Sequence, residues 1–341
     1  MKKKRLDYLD LAKGIGLMLV LAGHTAALPR PFSAFIYSFH MPLFFVLSGI
    51  TFHYDISCKA FLLKKVRTLL LPYISFSALY VAGCWLKGLV LQQNDNVLLL
   101  AKKIFLQEDD YIFATWFLVV LFVTELVFFL LAKAANGKRS VIIAVTVAVL
   151  AAGIVYFKTL NAVLPFELQI VLTALPFFCG GYFIKQFNLP ERLDKLWIIL
   201  ALGAVSIGLF LVKIKFFTYF TSLHNNRYGN FAVFYTLAIT AILFVLLVCH
   251  RIKTIRFLNY LGKNTLVIFA LQQLFICMPF DVWRSMQSKP MDIGAMNPLM
   301  KMAVSGLELA VSIIVLLAIN YLFTYTPLCV LIGKAYIKKK Q

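Results

Sequence analysis

The stretch "LDLAKGIGLMLVLAGHT", residues 9–25, is apolar except for Asp10, Lys13, His24 and the hydroxyl of Thr25. An ionisable group inside such a run is costly unless paired or hydrated, so each one is a functional candidate. On a helix, Lys13 and His24 are eleven positions apart, within about 20° of one face and separated by a rise of roughly 16 Å. Asp10 lies one turn before Lys13 on nearly the same face. An imidazole in this setting can serve as a general base or hydrogen-bond a neighbouring helix. The ammonium can bind an anion, or snorkel to the headgroups paired with Asp10.

Two later stretches add partners. "FHMPLFFVLSG", residues 39–49, places His40 in a second apolar run at a depth that can face His24. Pro42 should distort the helix there, and Ser48-Gly49 should allow close helix approach. "KKVRTLLLP", residues 64–72, opens a third run. Lys64 and Arg67 are i,i+3 neighbours and should point the same way. The layout is a cationic floor of Lys13, Lys64 and Arg67 with two histidines about half a bilayer above it. Acyl-coenzyme A fits that shape, with phosphates at one end and a thioester on a roughly 15–20 Å arm, comparable to the Lys13–His24 rise.

The elements that must hold these groups are membrane helices. The chain of 341 residues is 62% hydrophobic and 14% charged, with a mean hydropathy of +0.86. A soluble fold cannot bury that much apolar surface, whereas a spanning helix needs roughly 20 apolar residues. Apolar runs predict about ten spans, near 11–28, 33–53, 67–88, 112–133, 140–157, 167–186, 195–213, 231–249, 257–279 and 302–333. The last is too long for one straight span. The expected fold is therefore all-α: a polytopic helical bundle, one membrane-embedded domain over residues 1–341 with no appended soluble domain.

Charge fixes the expected orientation. Twenty-two of the 34 Lys and Arg residues fall in segments that an inside N-terminus makes cytoplasmic. Eleven fall in outer loops, and Lys13 lies within a span. This bias places both termini in the cytoplasm of a multi-pass cell-membrane protein, as in a bacterial plasma membrane. The net charge of +20 is read as this bias, with membrane lipid and a phosphorylated ligand as partners and no nucleic acid. Six scattered cysteines form no metal spacing, and no metal is expected. The charged start "MKKKRLDYLD" is read as leading into a retained helix rather than a cleaved signal.

At these residues the sequence resembles the membrane acyltransferase 3 family, in particular its O-acetylase branch similar to fucose 4-O-acetylases. The resemblance rests on "RLDYLDLAKGIGLMLVLAGH", "FHMPLFFVLSG" and "KKVRTLLLP", then "TWFL" at 115–118, "RYGN" at 227–230 and "LGKNTLVIFALQQ" at 261–273. It implies about ten spans and transfer of an acyl group, usually acetyl, from cytoplasmic acyl-CoA to a hydroxyl of a glycan or lipid-linked sugar. His24 resembles the family's catalytic residue, with His40 orienting or sharing the proton. Lys13, Lys64 and Arg67 resemble its coenzyme contacts. Lys13 stands where many relatives have Arg, which keeps the charge and loses the bidentate fork. Gln272-Gln273 stands where relatives often end the segment in His. A glutamine hydrogen-bonds but is no base.

Asp10, Ser48, Trp116 and Asn264 are supporting candidates, Trp116 also being a natural interface anchor and Asn264 a helix cap. Glu125 either pairs with a lysine or faces a cavity. His53 reads as structural, and His224, Asn225, Asn226 and Arg227 read as a solvated loop in preference to a contact with a sugar acceptor. A covalent acyl-histidine and a homodimer are both compatible with the sequence. The competing function is a transporter or flippase without chemistry, which predicts inverted repeats that the sequence does not display.

Overall fold

The computed structural model describes residues 6–92, 96–108, 113–216, 220–279, 282 and 296–334. Lys2, Lys3, Lys4, Arg5, Lys338, Lys339, Lys340 and most of the 280–301 loop, which entered the orientation argument, lie outside them. The described chain is an all-α helical bundle. Its extended pairing is limited, among the described residues, to one antiparallel bridge between Ser222 and Arg227.

The order is α1 (Asp7–Gly23), α2 (Arg30–Tyr37), α3 (His40–Thr51), α4 (Cys58–Lys65), α5 (Leu71–Val90), α6 (Val97–Leu106), α7 (Trp116–Ala134) and α8 (Arg139–Thr159). Then come α9 (Val171–Gln186), α10 (Leu189–Leu193), α11 (Leu196–Phe216), α12 (Phe231–Ile252), α13 (Arg256–Lys263), α14 (Thr265–Gln272) and α15 (Pro298–Tyr325). Eight helical segments among the described residues are long and apolar enough to cross a membrane. The other two expected spans are shorter: α1 has 17 residues, and Thr265–Cys277 is an apolar helix below that length. The over-long last run ends where Pro327 starts a 3-10 turn that closes on Gly333 at φ +73°.

Several helix starts are written in the sequence. Ser57, Asn96, Asn230 and Asn297 each accept a backbone N–H of the first turn and cap the orphan donors there. The second span breaks as expected near Pro42, which lacks the N–H that would bond Ser38's carbonyl. The helix stops at Tyr37 and restarts at His40.

α3 and α9 lie at the centre, while α8, α11 and α15 expose most of their apolar surface. Apolar lipid supplies no hydrophobic force between helices, so association depends on close packing. Glycines provide it in two reciprocal pairs. A Cβ on Gly14 would collide with the Leu258 carbonyl and one on Gly262 with the Asp10 carbonyl, so α1 and α13 touch backbone to backbone. Gly49 meets Phe178's carbonyl and Gly181 meets Val46's, locking α3 to α9 in the same way. The close approach expected at Ser48-Gly49 is this contact. Ser48 itself only lends its carbonyl to the Thr51 hydroxyl at 3.1 Å.

Gly181→Ala should destabilise the protein by about 1–3 kcal/mol through overpacking. Gly180→Ala is its control, because a Cβ there meets nothing within 4 Å. Melting in detergent should separate the two variants, and equal melting temperatures would refute the packing argument.

Candidate active site

At one end of the bundle a cavity of about 80 Å³ is lined by His24, Tyr37, His40, Trp116, Ser222, His224 and Gln273, with apolar walls that include Val20 and Phe269. Its space holds several waters or a small acyl group. His24 sits where α1 ends, and Tyr37 lies between the two imidazoles, with ring centroids 6.1 Å from His24 and 4.9 Å from His40. His40 is buried, and its Nδ1 lies 2.8 Å from the Ile36 carbonyl. A carbonyl can only accept, so Nδ1 carries the proton and Nε2 keeps its lone pair.

The wall at Trp116 is held by a buried glutamine. Gln107 donates to Ile104's carbonyl and to the Thr115 hydroxyl, and accepts the Phe113 N–H at 3.0 Å. Gln273 opens a π-helical turn, Gln273–Cys277, and its Oε1 accepts the Ala114 N–H at 2.5 Å. Its NH2, the other branch of that amide, keeps its two donors. Trp116, a supporting candidate, is therefore a lining residue.

The roof is a tight hairpin. Ser222 and Arg227 exchange both backbone hydrogen bonds at 2.9 Å. Buried Lys213 donates to the Ser38 hydroxyl at 2.8 Å and the Thr221 hydroxyl at 2.6 Å, tying the hairpin and the α2–α3 break to α11. On the other side Asn226 accepts from Gln169, whose amide also donates to buried Glu167. Phe166 and Glu167 both hold left-handed backbone there, a strain the network must support. The expectation of a solvated loop at His224 to Arg227 holds for exposed Asn225 and Arg227 and not for the others: Asn226 is buried, and His224 is a lining residue.

At the opposite end a larger cavity of about 380 Å³ is lined by Thr51, Phe52, His53, Ile56, Phe61, Lys64 and Lys65. His53 Nδ1 donates to Thr51's carbonyl at 2.7 Å, and its Nε2 faces the Lys185 ammonium at 3.3 Å. Glu125 pairs with Lys65, which settles its role. Lys64 lines this cavity and Arg67 is not part of its lining. Arg67 lies in the π-helical turn Val66–Leu70, which follows directly on the helix that carries Lys64. Arg67 instead donates through Nε to the Gly333 carbonyl at 2.7 Å. Half-buried Lys13 and buried Asp10 line neither cavity. Asn264 caps the α13–α14 junction by donating to Tyr260's carbonyl at 2.9 Å.

α3 connects the two cavities. His40, its first residue, lines one, and Thr51, its last, lines the other, about 16 Å away along the axis. Between them Phe44, Phe45, Phe117 and Phe269 form a cluster with centroids 5.0–6.1 Å apart. Sequence reasoning missed Tyr37, Ser222 and Lys185. His224, Gln273 and His53 were noticed without a shared place.

A model of the acyltransferase 3 family, described as an acyltransferase domain, matches residues 6–325. That is nearly the whole chain, and the chain belongs to this family. No curated protein and no solved structure matches it.

Burial, and then the nearby Arg227 charge, hold His224 below the usual imidazole range. The unfolded chain takes up that proton near pH 6.5 while the folded chain resists it. His224 therefore lowers stability progressively as pH falls below about 6.5. Between about pH 7.5 and 5.5, wild type should lose more melting temperature than His224→Asn. Parallel losses would remove the buried-imidazole argument.

Proposed function

We propose that this member of the acyltransferase 3 family is an O-acyltransferase in the cell membrane with both termini cytoplasmic. It moves an acyl group, most simply acetyl, from cytoplasmic acyl-CoA to a hydroxyl of a cell-surface glycan or lipid-linked sugar. The observation that carries this reading is the pair of cavities at the two ends of α3. One is cationic and the other is lined by three histidines. Their separation of about 16 Å suits a donor whose phosphates and thioester are far apart.

Lys64 and Lys185 are the ammonium groups that meet the donor's phosphates, with Lys65 partly neutralised by Glu125. Arg67 and Lys13 act on the flanks of that end, by charge rather than by lining the cavity. The thioester carbonyl reaches the His24 cavity. There His24 takes the proton of the acceptor hydroxyl. The acceptor oxygen bonds to the acyl carbon and the C–S bond breaks. The coenzyme thiolate leaves and takes the proton back from the imidazolium. His40, locked in one tautomer, accepts a hydrogen bond at Nε2 from a neighbouring hydroxyl of the acceptor and orients it. The Gln273 NH2 is placed to donate to the oxyanion that forms on the acyl carbon.

His24→Ala should reduce transfer of labelled acetyl from acetyl-CoA to a panel of surface glycans by about 10²- to 10⁴-fold. Background transfer identical in wild type and variant would sink the assignment. Lys64→Ala should raise the donor KM about tenfold with kcat nearly unchanged, as expected for lost ground-state binding of a phosphate. An unchanged donor KM would move the phosphate site elsewhere.

A further inference from the structure

α15 carries a carboxylate deep in an otherwise apolar helix. Glu308 lies eleven residues into it, half-buried, on a helix that exposes most of its surface. Such a group is expensive in a bilayer and calls for a specific reason. Its Oε2 accepts the Ala26 N–H at 2.9 Å. Ala26 lies in the turn that ends α1, two residues beyond His24. Glu308 is therefore fixed to the backbone that presents the imidazole.

A small chamber sits between them. His24, Thr25, Gln272, Cys277, Glu308 and Ser312 line a space of about 10 Å³, the size of one water. His24 thus borders two spaces, the three-histidine cavity on one side and this chamber on the other. Gln272 provides an independent observation. It is 2% exposed, and neither its Oε1 nor its Nε2 has a hydrogen-bond partner among the described residues. A buried amide left so costs about 1–3 kcal/mol per group. A water in the chamber, bonded to Gln272 and Glu308, satisfies it and reaches His24.

The other interior carboxylates have different work. Glu125 pairs with Lys65, Glu167 accepts from Gln169, and Asp10 lies at the far end of α1. The titratable groups facing His24 are Tyr37 and His40 from α2 and α3, His224 from the hairpin, Cys277 from the π-helical turn, and Glu308 from α15. Of these, Glu308 alone supplies negative charge.

We propose that Glu308 is the positioning residue of His24, acting through one water held with Gln272 in the chamber behind the imidazole. The carboxylate selects the tautomer that leaves the opposite ring nitrogen basic and stabilises the imidazolium formed when the acceptor proton arrives. Glu308 stays ionised throughout, and the proton returns from His24 to the coenzyme thiolate. The catalytic consequence rests on the acyl-transfer reading, but the charge on the imidazole does not.

The test uses the full chain in lipid nanodiscs with no donor or acceptor present. Diethyl pyrocarbonate acylates neutral imidazole, and mass spectrometry reads each histidine separately. Glu308→Gln keeps an oxygen for the Ala26 N–H and removes the charge. It should lower the pH of half-maximal His24 modification by about one unit, a tenfold loss of proton affinity. Glu308→Asp should restore most of the shift. The same half-modification pH in wild type and Glu308→Gln overturns the proposal. A shift equal in the Gln and Asp variants also overturns it, because that marks a purely structural anchor. Failure of the acyl-transfer reading would appear only in the separate transfer assay.

Discussion

Backbone-to-backbone contact through four glycines is what the rest of the structure depends on. Gly14 with Gly262 and Gly49 with Gly181 let α1 sit on α13 and α3 on α9 closer than any side chain permits. In lipid this closeness replaces the hydrophobic drive of a soluble core. The contacts involve the two helices that end or begin in His24 and His40. α13 then leads through the Asn264 junction into α14, which delivers Phe269 to the cavity wall, Gln272 to the chamber and Gln273 beyond its end. One packing rule therefore sets the place of both imidazoles and of the amides beside them.

Irregular backbone occurs at both ends, as in the π-helical turn Val66–Leu70 and the 3-10 turn after Pro327, and several such elements surround His24. The α1 turn, the α2–α3 break, the left-handed pair Phe166-Glu167, the Ser222–Arg227 hairpin and the π-helical turn at Gln273 all lie there. A bilayer tolerates unpaired backbone groups only where protein or enclosed water satisfies them. Gln107, Gln169 and Asn226 do this with side-chain hydrogen bonds, and Lys213 ties the Ser38 and Thr221 hydroxyls together beside them. The cavity and the network share one cause: helices that stop short must be sealed by polar side chains, and those side chains hold a cavity open.

The fold was legible because length and hydropathy alone define a membrane helix, and the break at Pro42 follows from a missing N–H. His24, His40 and Lys64 were legible because helical spacing and depth carry real geometry. Arg67's bond to the Gly333 carbonyl was not legible, since the two lie 266 residues apart and a π-helical turn leaves no mark in the spacing. His224 and Lys185 lie far along the chain from the first three spans, so no periodicity relates them to His24 or Lys64. Glu308 was invisible for the same reason. A single acid in an apolar run shows its cost but not its partner.

Charge is divided along α3 in a way that bears on chemistry. The Thr51 end collects Lys64, Lys65 and Lys185, with one carboxylate offsetting one ammonium. The His40 cavity is lined by imidazoles, a tyrosine, a tryptophan, a serine and an amide, with Lys213 and Arg227 near its roof but not in its lining. The phenylalanine cluster between them is apolar and keeps the two kinds of group apart. An anion is drawn to one end. At the other, on the proposed reading, a hydroxyl meets imidazoles that can accept its proton. A donor carrying phosphates and an uncharged thioester matches that division, and an acceptor carrying only hydroxyls matches its second half.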